Sequence, residues 1–319
     1  MSTTTHEVPG ISHILDAEKR IFGKVHRTPV LSSQNLNELV GCSMYFKCEN
    51  LQKAGAFKSR GAVNAVFSLD DSHVKNGVAT HSSGNHAAAL ARAAKLRGID
   101  AHIVMPSNSS KVKIAAVKHY GGKITFCEPN LASRESTLEK VLDATGAFEV
   151  HPYNHPLIIA GQATAAKELI EDTGKLEIIM APVGGGGLLS GTALSARFFS
   201  TGTNVVAAEP VQANDAWQSF TQKRFVPSVN PDTIADGLRT SLGSLTFKII
   251  MENVDDIVTV SETSIITAMK LIWERMKIIV EPSSAVPFAA ILEGNFNFKN
   301  KKIGIIISGG NVDLENLPW

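Results

Sequence analysis

Short β-branched runs alternate with helical patterns along most of the chain. Ser43 to Cys48 reads as a strand and Arg60 to Phe67 as helical. Gly77 to His81 is a short strand that passes through a polar loop into an alanine-rich helix, His86 to Arg97, stopped by Gly98. Ala101 to Met105 is a strand ended by Pro106, Lys111 to Tyr120 a helix closed by Gly121-Gly122, Lys123 to Cys127 a strand and Ser133 to Thr145 a helix. Further on, Glu177 to Val183 is a strand, Leu188 to Phe199 a helix, Val205 to Ala208 a strand and Ile265 to Met276 a helix. Lys302 to Ile307 is a buried strand that runs into Ser308-Gly309-Gly310-Asn311. Such alternation predicts an α/β fold with mostly parallel sheets and helices on both faces. Ligands in these sheets sit beyond the carboxyl ends of the strands. The polar or glycine-rich loops 82–85, 184–187 and 308–311 all fall there. There is no internal repeat and no linker visible in composition, so a domain split has to be interleaved.

Composition narrows the class. Of 319 residues, 44% are apolar and 19% charged, enough to bury a normal core. The net charge is +1 with both signs interspersed, so no basic stripe points to nucleic acid. The cysteines, Cys42, Cys48 and Cys127, form no C-x-x-C pair, and their odd number argues against a disulfide framework. Cys48 and Cys127 fall in strand patterns and read as buried apolar residues. Met1 to Gly10 is polar and lacks the apolar core of a signal peptide, and no apolar run approaches a membrane span. A cytoplasmic setting is expected.

Several clusters have chemical potential, each with a plainer reading beside it. Lys58 follows a glycine-containing turn and opens a helix, whose positive end favours a neutral, nucleophilic amine; it also reads as a surface lysine. Ser82-Ser83-Gly84-Asn85-His86 starts a helix, where free N–H groups hold a carboxylate; it also reads as ordinary capping. Gly184 to Gly187, followed by Leu188, lets backbone N–H groups crowd a phosphate. It is not a Walker loop, since no Gly-Lys-Ser/Thr follows, and it fails G-x-G-x-x-G because Leu189 holds the last position. Ser308 at a strand end suits a heterocyclic nitrogen, or a simple turn. Glu209 and Asp215, with the Ala213 carbonyl, suit a hard cation completed by water, or plain solvation. His151 and His155 flank Pro152 and read as loop or packing residues.

The segments "FKCENLQKAGAFKSRGA", "THSSGNHAAAL", "GGGGLLSG", "AAEP…AND", "TIADGL", "ERMKIIVEP" and "ISGGNVDL" stand in an order that resembles the fold-type II pyridoxal-phosphate (PLP) enzymes, and within them the serine racemase and serine/threonine dehydratase group. The resemblance implies two interleaved, open, twisted sheets. One domain would comprise 1–76 and 154–319, a smaller inserted one 77–153, with the active site in the cleft between them. It implies Lys58 as the lysine that carries the cofactor and moves protons on one face, and Ser83 as the acid/base on the other. Phe57, Asn85, Gly184 to Leu188 and Ser308 would contact the cofactor, Ser308 at the ring nitrogen, which it should leave largely unprotonated. Ser82, Ser83, Asn85, His86 and Arg134 would lie near the substrate carboxylate. Glu209, Ala213 and Asp215 would bind Mg2+, Ca2+ or Mn2+. Lys53, Tyr120, Lys277 and Asn311 would contact ATP as an activator at a homodimer interface.

The implied activity is racemisation of serine, β-elimination of serine-like substrates to a keto acid and ammonia, or both. A dedicated threonine or 3-hydroxyaspartate dehydratase is the near alternative; a non-catalytic ligand-binding protein on this fold is the distant one, and a nucleotide-binding Rossmann protein is disfavoured by the failed glycine spacing. Ala88 and Ser59 depart from the group's pattern and are expected to bear on substrate preference. From the short tail after "GGN", the amino-acid-sensing domain of biosynthetic threonine dehydratases is not expected here.

Overall fold

A computed structural model of the chain describes residues 7–294 and 296–319, so the first six residues of the polar N-terminal stretch lie outside the described residues. The expected strands separate into two sheets. The strands are β1 Val30–Leu31, β2 Ser43–Cys48, β3 Val78–His81, β4 Ala101–Pro106, β5 Lys123–Cys127, β6 Phe148–Glu149, β7 Ile178–Pro182, β8 Asn204–Pro210, β9 Asp256–Val260 and β10 Lys302–Ile307. One sheet has the order β1-β2-β10-β7-β8-β9, the other β5-β4-β3-β6. Every pairing is parallel except that of β1 with β2. The larger sheet takes strands from both sides of the smaller one in the chain, which makes the two interleaved. β7 is buried at every position, as is usual for a parallel strand covered on both faces.

The helices are α1 Ile11–Ile21, α2 Gln34–Val40, α3 Lys58–Ser68, α4 Asp71–Val74, α5 Asn85–Arg97, α6 Lys111–His119, α7 Leu131–Thr145, α8 Pro156–Thr173, α9 Gly187–Phe199, α10 Asp215–Gln222, α11 Ser244–Asn253, α12 Glu262–Met276 and α13 Pro282–Glu293. α12 and α13 share a core with one face of the large sheet, and α8 and α9 with the other. α3 and α5 pack with the small sheet. Two helices begin earlier than the apolar pattern suggests because side chains cap them. Asn130 Oδ1 accepts from Ser133 N at 2.8 Å, and Ser261 Oγ from Ser264 N at 3.2 Å. Among the described residues no helix is long and apolar enough to cross a membrane.

α8 positions the site, although nothing in the sequence reading announced it. Residues 158–170 are all buried, so the helix shows no apolar stripe. It lies between the helices that carry Lys58 and the glycine loop. A Cβ on Gly161 would stand 2.6 Å from Gly61 Cα on α3, and one on Gly191 of α9 would stand 2.6 Å from Ala163 N. Backbone-to-backbone contact on both sides fixes α3 and α9 relative to each other. A buried ionic cluster locks the same region. Arg60 bonds Glu49 through Nε at 2.7 Å and Glu168 through Nη1 at 2.8 Å, and Lys47 Nζ bonds Glu168 at 2.6 Å. Arg60 and Glu49 are fully buried, so each charge needs its partner.

Candidate active site

The loops that follow β3, β7 and β10 open into one cavity. Phe57, Lys58, Ser82 to His86, Arg134, Gly184 to Leu188 and Ser308 all line it, so the residues named from the sequence as cofactor or substrate contacts come together.

Lys58 is the first residue of α3. Its Nζ donates to the Pro152 carbonyl at 2.7 Å. Burial lowers its pKa to about 8, against the opposing charge of Glu281. A substantial fraction of the amine is then neutral near physiological pH, as a nucleophile requires. Phe57 N donates to the Ser308 carbonyl at 3.0 Å, which ties the lysine's neighbour to the end of β10.

α5 starts at a glycine N-cap, Gly84, with no side-chain cap. Ser82 Oγ instead accepts from Gly84 N at 3.3 Å. Asn85 Nδ2 donates to both oxygens of Glu281, at 2.8 and 3.1 Å. His86 Nε2 meets the Val150 carbonyl at 3.2 Å. A carbonyl only accepts, so that nitrogen carries the ring proton; burial and the Lys58 charge hold the pKa well below the usual value and the ring neutral.

At the glycine loop, packing already demands small residues. A Cβ on Gly185 would meet the Tyr153 ring at 2.4 Å, and one on Gly184 the Leu238 Cα at 2.8 Å; Gly186 has φ +85°. Thr246 Oγ1 holds the Gly185 carbonyl at 2.8 Å. Among the described residues no acceptor is paired with the N–H groups of Gly184, Gly185 or Gly186, which stand at the N-terminus of α9. Unpaired amides at a helix start, an activated lysine and a buried hydroxyl at Ser308 form a donor set that fits PLP, with its phosphate, aldehyde and ring nitrogen.

Several cavity residues escaped the sequence reading. Glu281 is buried, and desolvation raises its carboxyl to about 7 while the Lys113 charge opposes the rise. It stands in a matching segment, but an acid just before Pro282 at a helix start looks like an ordinary terminal charge. Lys113 of α6 forms an ion pair with Asp236 across the cavity, and Tyr153 OH meets Thr240 Oγ1 at 3.1 Å. Their partners are distant in sequence, so no local signal existed. Arg134 is different in kind: its Nε is buried without a partner, and its charge helps burial depress His81 to about 4.

Ser59 and Ala88, the two departures from the group's pattern, do not themselves line the cavity. Ser59 Oγ donates to the Lys53 carbonyl, and Ala88 is packed in the core between α3 and α5. His151 and His155 lie in the loop and at the start of α8, where their Nδ1 atoms accept backbone N–H groups.

Glu209 and Asp215 lie outside the cavity. Glu209 accepts from Ala216 N at 3.1 Å and Trp217 N at 2.8 Å, closing the N-terminus of α10. Burial and the Asp215 charge nevertheless raise its pKa well above the ordinary value. Both Asp215 oxygens are buried without a hydrogen-bond partner, and burial raises its pKa to about 6 against the smaller opposing influence of Ser228 and the Leu242 backbone. Two buried carboxylates, one unpaired, fit a cation. No group of three or more His, Cys, Asp or Glu side chains converges among the described residues, so carbonyl and water ligands would have to complete it.

The four residues named for a nucleotide stand on four segments. Asn311 Nδ2 donates to the Ala54 carbonyl at 2.8 Å, within the turn Lys53–Gly55, and to Asn85 Oδ1 at 2.9 Å. Tyr120 and Lys277 end α6 and α12. Among the described residues no hydrogen bond or ion pair joins either side chain to Lys53 or Asn311.

Comparison with known proteins places this site in a family. The chain is 50% identical over 312 residues to β-hydroxyaspartate dehydratase of Paracoccus denitrificans, covering 98% of this chain and 99% of that protein. It is 49% identical over 312 residues to serine racemase of Dictyostelium discoideum, covering 96% of each. The solved structure of maize serine racemase superimposes with a TM-score of 0.95 at 47% identity, covering 97% of this chain and 95% of that one. The family described as pyridoxal-phosphate dependent enzyme matches residues 21–309, across both sheets and every loop that lines the cavity, and the chain belongs to that family as an α/β enzyme of fold type II.

Proposed function

We propose that the protein racemises serine and eliminates water from serine-like hydroxy-amino acids, yielding a 2-keto acid and ammonia. The observation that carries this reading is the convergence of an activated Lys58, the unpaired amides of the glycine loop and the Ser83 hydroxyl in one cavity. Its relatives of nearly equal length include a serine racemase and a hydroxyaspartate dehydratase.

Bound PLP supplies an electron sink that makes the Cα proton of an amino acid removable. The chain does the rest. The glycine loop and the dipole of α9 hold the phosphate. The N-terminus of α5, with Ser82, Ser83 and Asn85, orients the substrate carboxylate. Lys58 removes or returns the Cα proton from its own side, a task suited to an amine with a pKa of about 8. Ser83 handles the same proton from the opposite side. Elimination releases the β-hydroxyl as water, and hydrolysis then gives pyruvate and ammonia from serine.

A second reading, elimination from 3-hydroxyaspartate, is favoured by the buried, unpaired Nε of Arg134, a ready partner for a second carboxylate. Incubation with L-serine, L-threonine and L-threo-3-hydroxyaspartate, with pyruvate, oxobutyrate, oxaloacetate and D-serine measured, tests both. D-serine and pyruvate from L-serine are expected; oxaloacetate as the sole product would establish the second reading.

The cleft between a small unit, 77–153, and the rest of the chain belongs to the same proposal, supported by a four-stranded sheet lying wholly within 78–149. So do a homodimer, a cytoplasmic setting that suits three free, buried cysteines, and ATP as an activator, supported by the link of Asn311 from the Lys53–Gly55 turn to Asn85. A divalent cation is proposed at Glu209, Ala213 and Asp215. Chelation is expected to lower the melting temperature and added Mg2+ to restore it. Glu209→Ala also removes the closure of α10, so the deciding readout is its response to Mg2+: a response equal to that of the unaltered protein would remove the site.

A further inference from the structure

The peptide between Gly185 and Gly186 can lie in two ways, and a threonine on α11 selects one of them. Gly186 stands at φ +85° and ψ −4°. These are close to the values of the second central residue of a type II turn, whereas a type I turn puts that residue at a φ of about −90°. The two forms differ by a half-turn of the peptide plane that joins the central residues. Glycine takes either sign of φ with similar ease, so the loop itself holds no strong preference. In a trans peptide the carbonyl and the following N–H point to opposite sides. Fixing the Gly185 oxygen therefore also fixes the direction of the Gly186 N–H.

Thr246 fixes that oxygen. Its side chain is fully buried, and Oγ1 stands 2.8 Å from the Gly185 oxygen and 3.1 Å from the Gly243 oxygen. The same Oγ1 accepts from Gly243 N at 2.8 Å, so its single proton has two carbonyls within reach. The Gly243 oxygen already receives the Phe247 N–H at 2.8 Å. The Gly185 oxygen is in a buried residue and receives no backbone N–H among the described residues, so it is the carbonyl that needs the proton. The Gly186 N–H then faces away from α11, unpaired, on a residue that lines the cavity.

Thr246 is in turn held from outside its helix. α11 begins after Gly243, which has no side-chain cap to offer. Asn154 takes that place from 90 positions away: its Oδ1 accepts from Leu245 N at 2.9 Å and from Thr246 N at 3.4 Å, and its Nδ2 donates to Ser244 Oγ at 3.3 Å. Asn154 N is itself tied to His151 Nδ1 at 2.9 Å. The segment that leaves the small sheet thus closes the first turn of α11.

We propose that Thr246 and Asn154 are positioning residues for the cofactor's phosphate: Asn154 holds the start of α11, Thr246 holds the Gly185 carbonyl, and the Gly186 N–H is thereby kept turned toward the phosphate. This rests on the reading of the glycine loop as the phosphate cradle. Neither residue lines the cavity, so both act through the loop and not by contact.

The preference of the cofactor-free protein for PLP over pyridoxal, which has the ring and aldehyde but no phosphate, tests this, with each measured as a dissociation constant. Thr246→Val keeps the branched shape and removes the hydroxyl. It is expected to lower the preference by about 10- to 100-fold, through lost PLP affinity while pyridoxal affinity holds. Thr246→Ser, which keeps the hydroxyl, should restore it. Asn154→Ala should move the preference in the same direction, and Asn154→Asp, which keeps the accepting oxygen, should restore it. A loss that weakens both compounds equally would mean a general loosening of the fold and overturns the proposal. A preference unmoved by Thr246→Val or by Asn154→Ala overturns it too, and Asn154→Ala carries the test if the valine variant fails to fold. The unaltered protein separates the two ideas. Equal affinity for PLP and pyridoxal would remove the phosphate cradle itself, whereas a strong preference that neither substitution moves overturns only the roles of Thr246 and Asn154.

Discussion

Lys58→Ala protein is expected to carry no covalently held cofactor and to lose both D-serine and keto-acid formation by at least ~10^4. The loss is large because one side chain performs two tasks. It anchors the cofactor, and it moves the Cα proton on one face. The loss should not come from unfolding. Lys58 is a cation at the first position of α3, where the helix field opposes it, and burial already disfavours its charge. Alanine removes both penalties and is a good helix former, so the melting temperature should hold or rise. In the unaltered apoprotein, covalent attachment of PLP should accelerate as pH rises through about 8, because the attacking form is the neutral amine. Glu281 opposes that shift, so Glu281→Gln should move the midpoint lower still. Borohydride reduction followed by peptide mapping checks the anchor. A label on another lysine, or an attachment midpoint at the ordinary lysine value of 10.5, would contradict the assignment.

The loops of the site legible in the sequence share one physical feature: each is the carboxyl end of a strand, where an apolar run stops at small or polar residues. The loops after β3, β7 and β10 are of this kind, and all three open into the cavity. What stayed hidden depends on partners far apart in sequence, or on the absence of a pattern. α8 and α13 are buried on nearly every side, so they show no helical stripe, and Pro287 inside α13 reads as a break. Arg60 bonds a glutamate 11 positions before it and another 108 after it, which no local window relates. Ser284 looks like any first-turn serine until Gly309 and Ser308 are set beside it. The four glycines show the reverse case. Their run reads as a phosphate cradle, yet Tyr153, Leu238 and Thr246 independently leave no room for side chains there. Packing and binding impose the same residue type, and the sequence displays only their sum.

Ser83→Ala is expected to separate the two proposed activities. D-serine formation from L-serine should fall by about 10^2 to 10^4, while pyruvate from L-serine is retained within about tenfold. Racemisation needs a proton delivered to the face that Lys58 does not reach. Elimination from an L-substrate needs only the Lys58 face at Cα. Pyruvate formation from D-serine should disappear together with racemisation, because its Cα proton points toward Ser83. The competing account is that Ser83 caps α5, in which case the substitution would cost about 1 kcal/mol and depress all reactions together. The fold weakens that account, since α5 has Gly84 at its N-cap and no side-chain cap. The surroundings also address why a serine, a poor base when free, would act here. A Cβ placed on Gly84 would stand 3.3 Å from Lys113 Nζ, and the Asp236 and Glu281 charges raise the pKa of Lys113 and keep it charged. A cation held over this turn favours the ionised hydroxyl. Pyruvate and D-serine from L-serine, and pyruvate from D-serine, measured on this one variant decide the matter. Equal residual fractions of all three activities would remove Ser83 from the catalytic residues and leave Lys58 as the sole proton carrier among those assigned here.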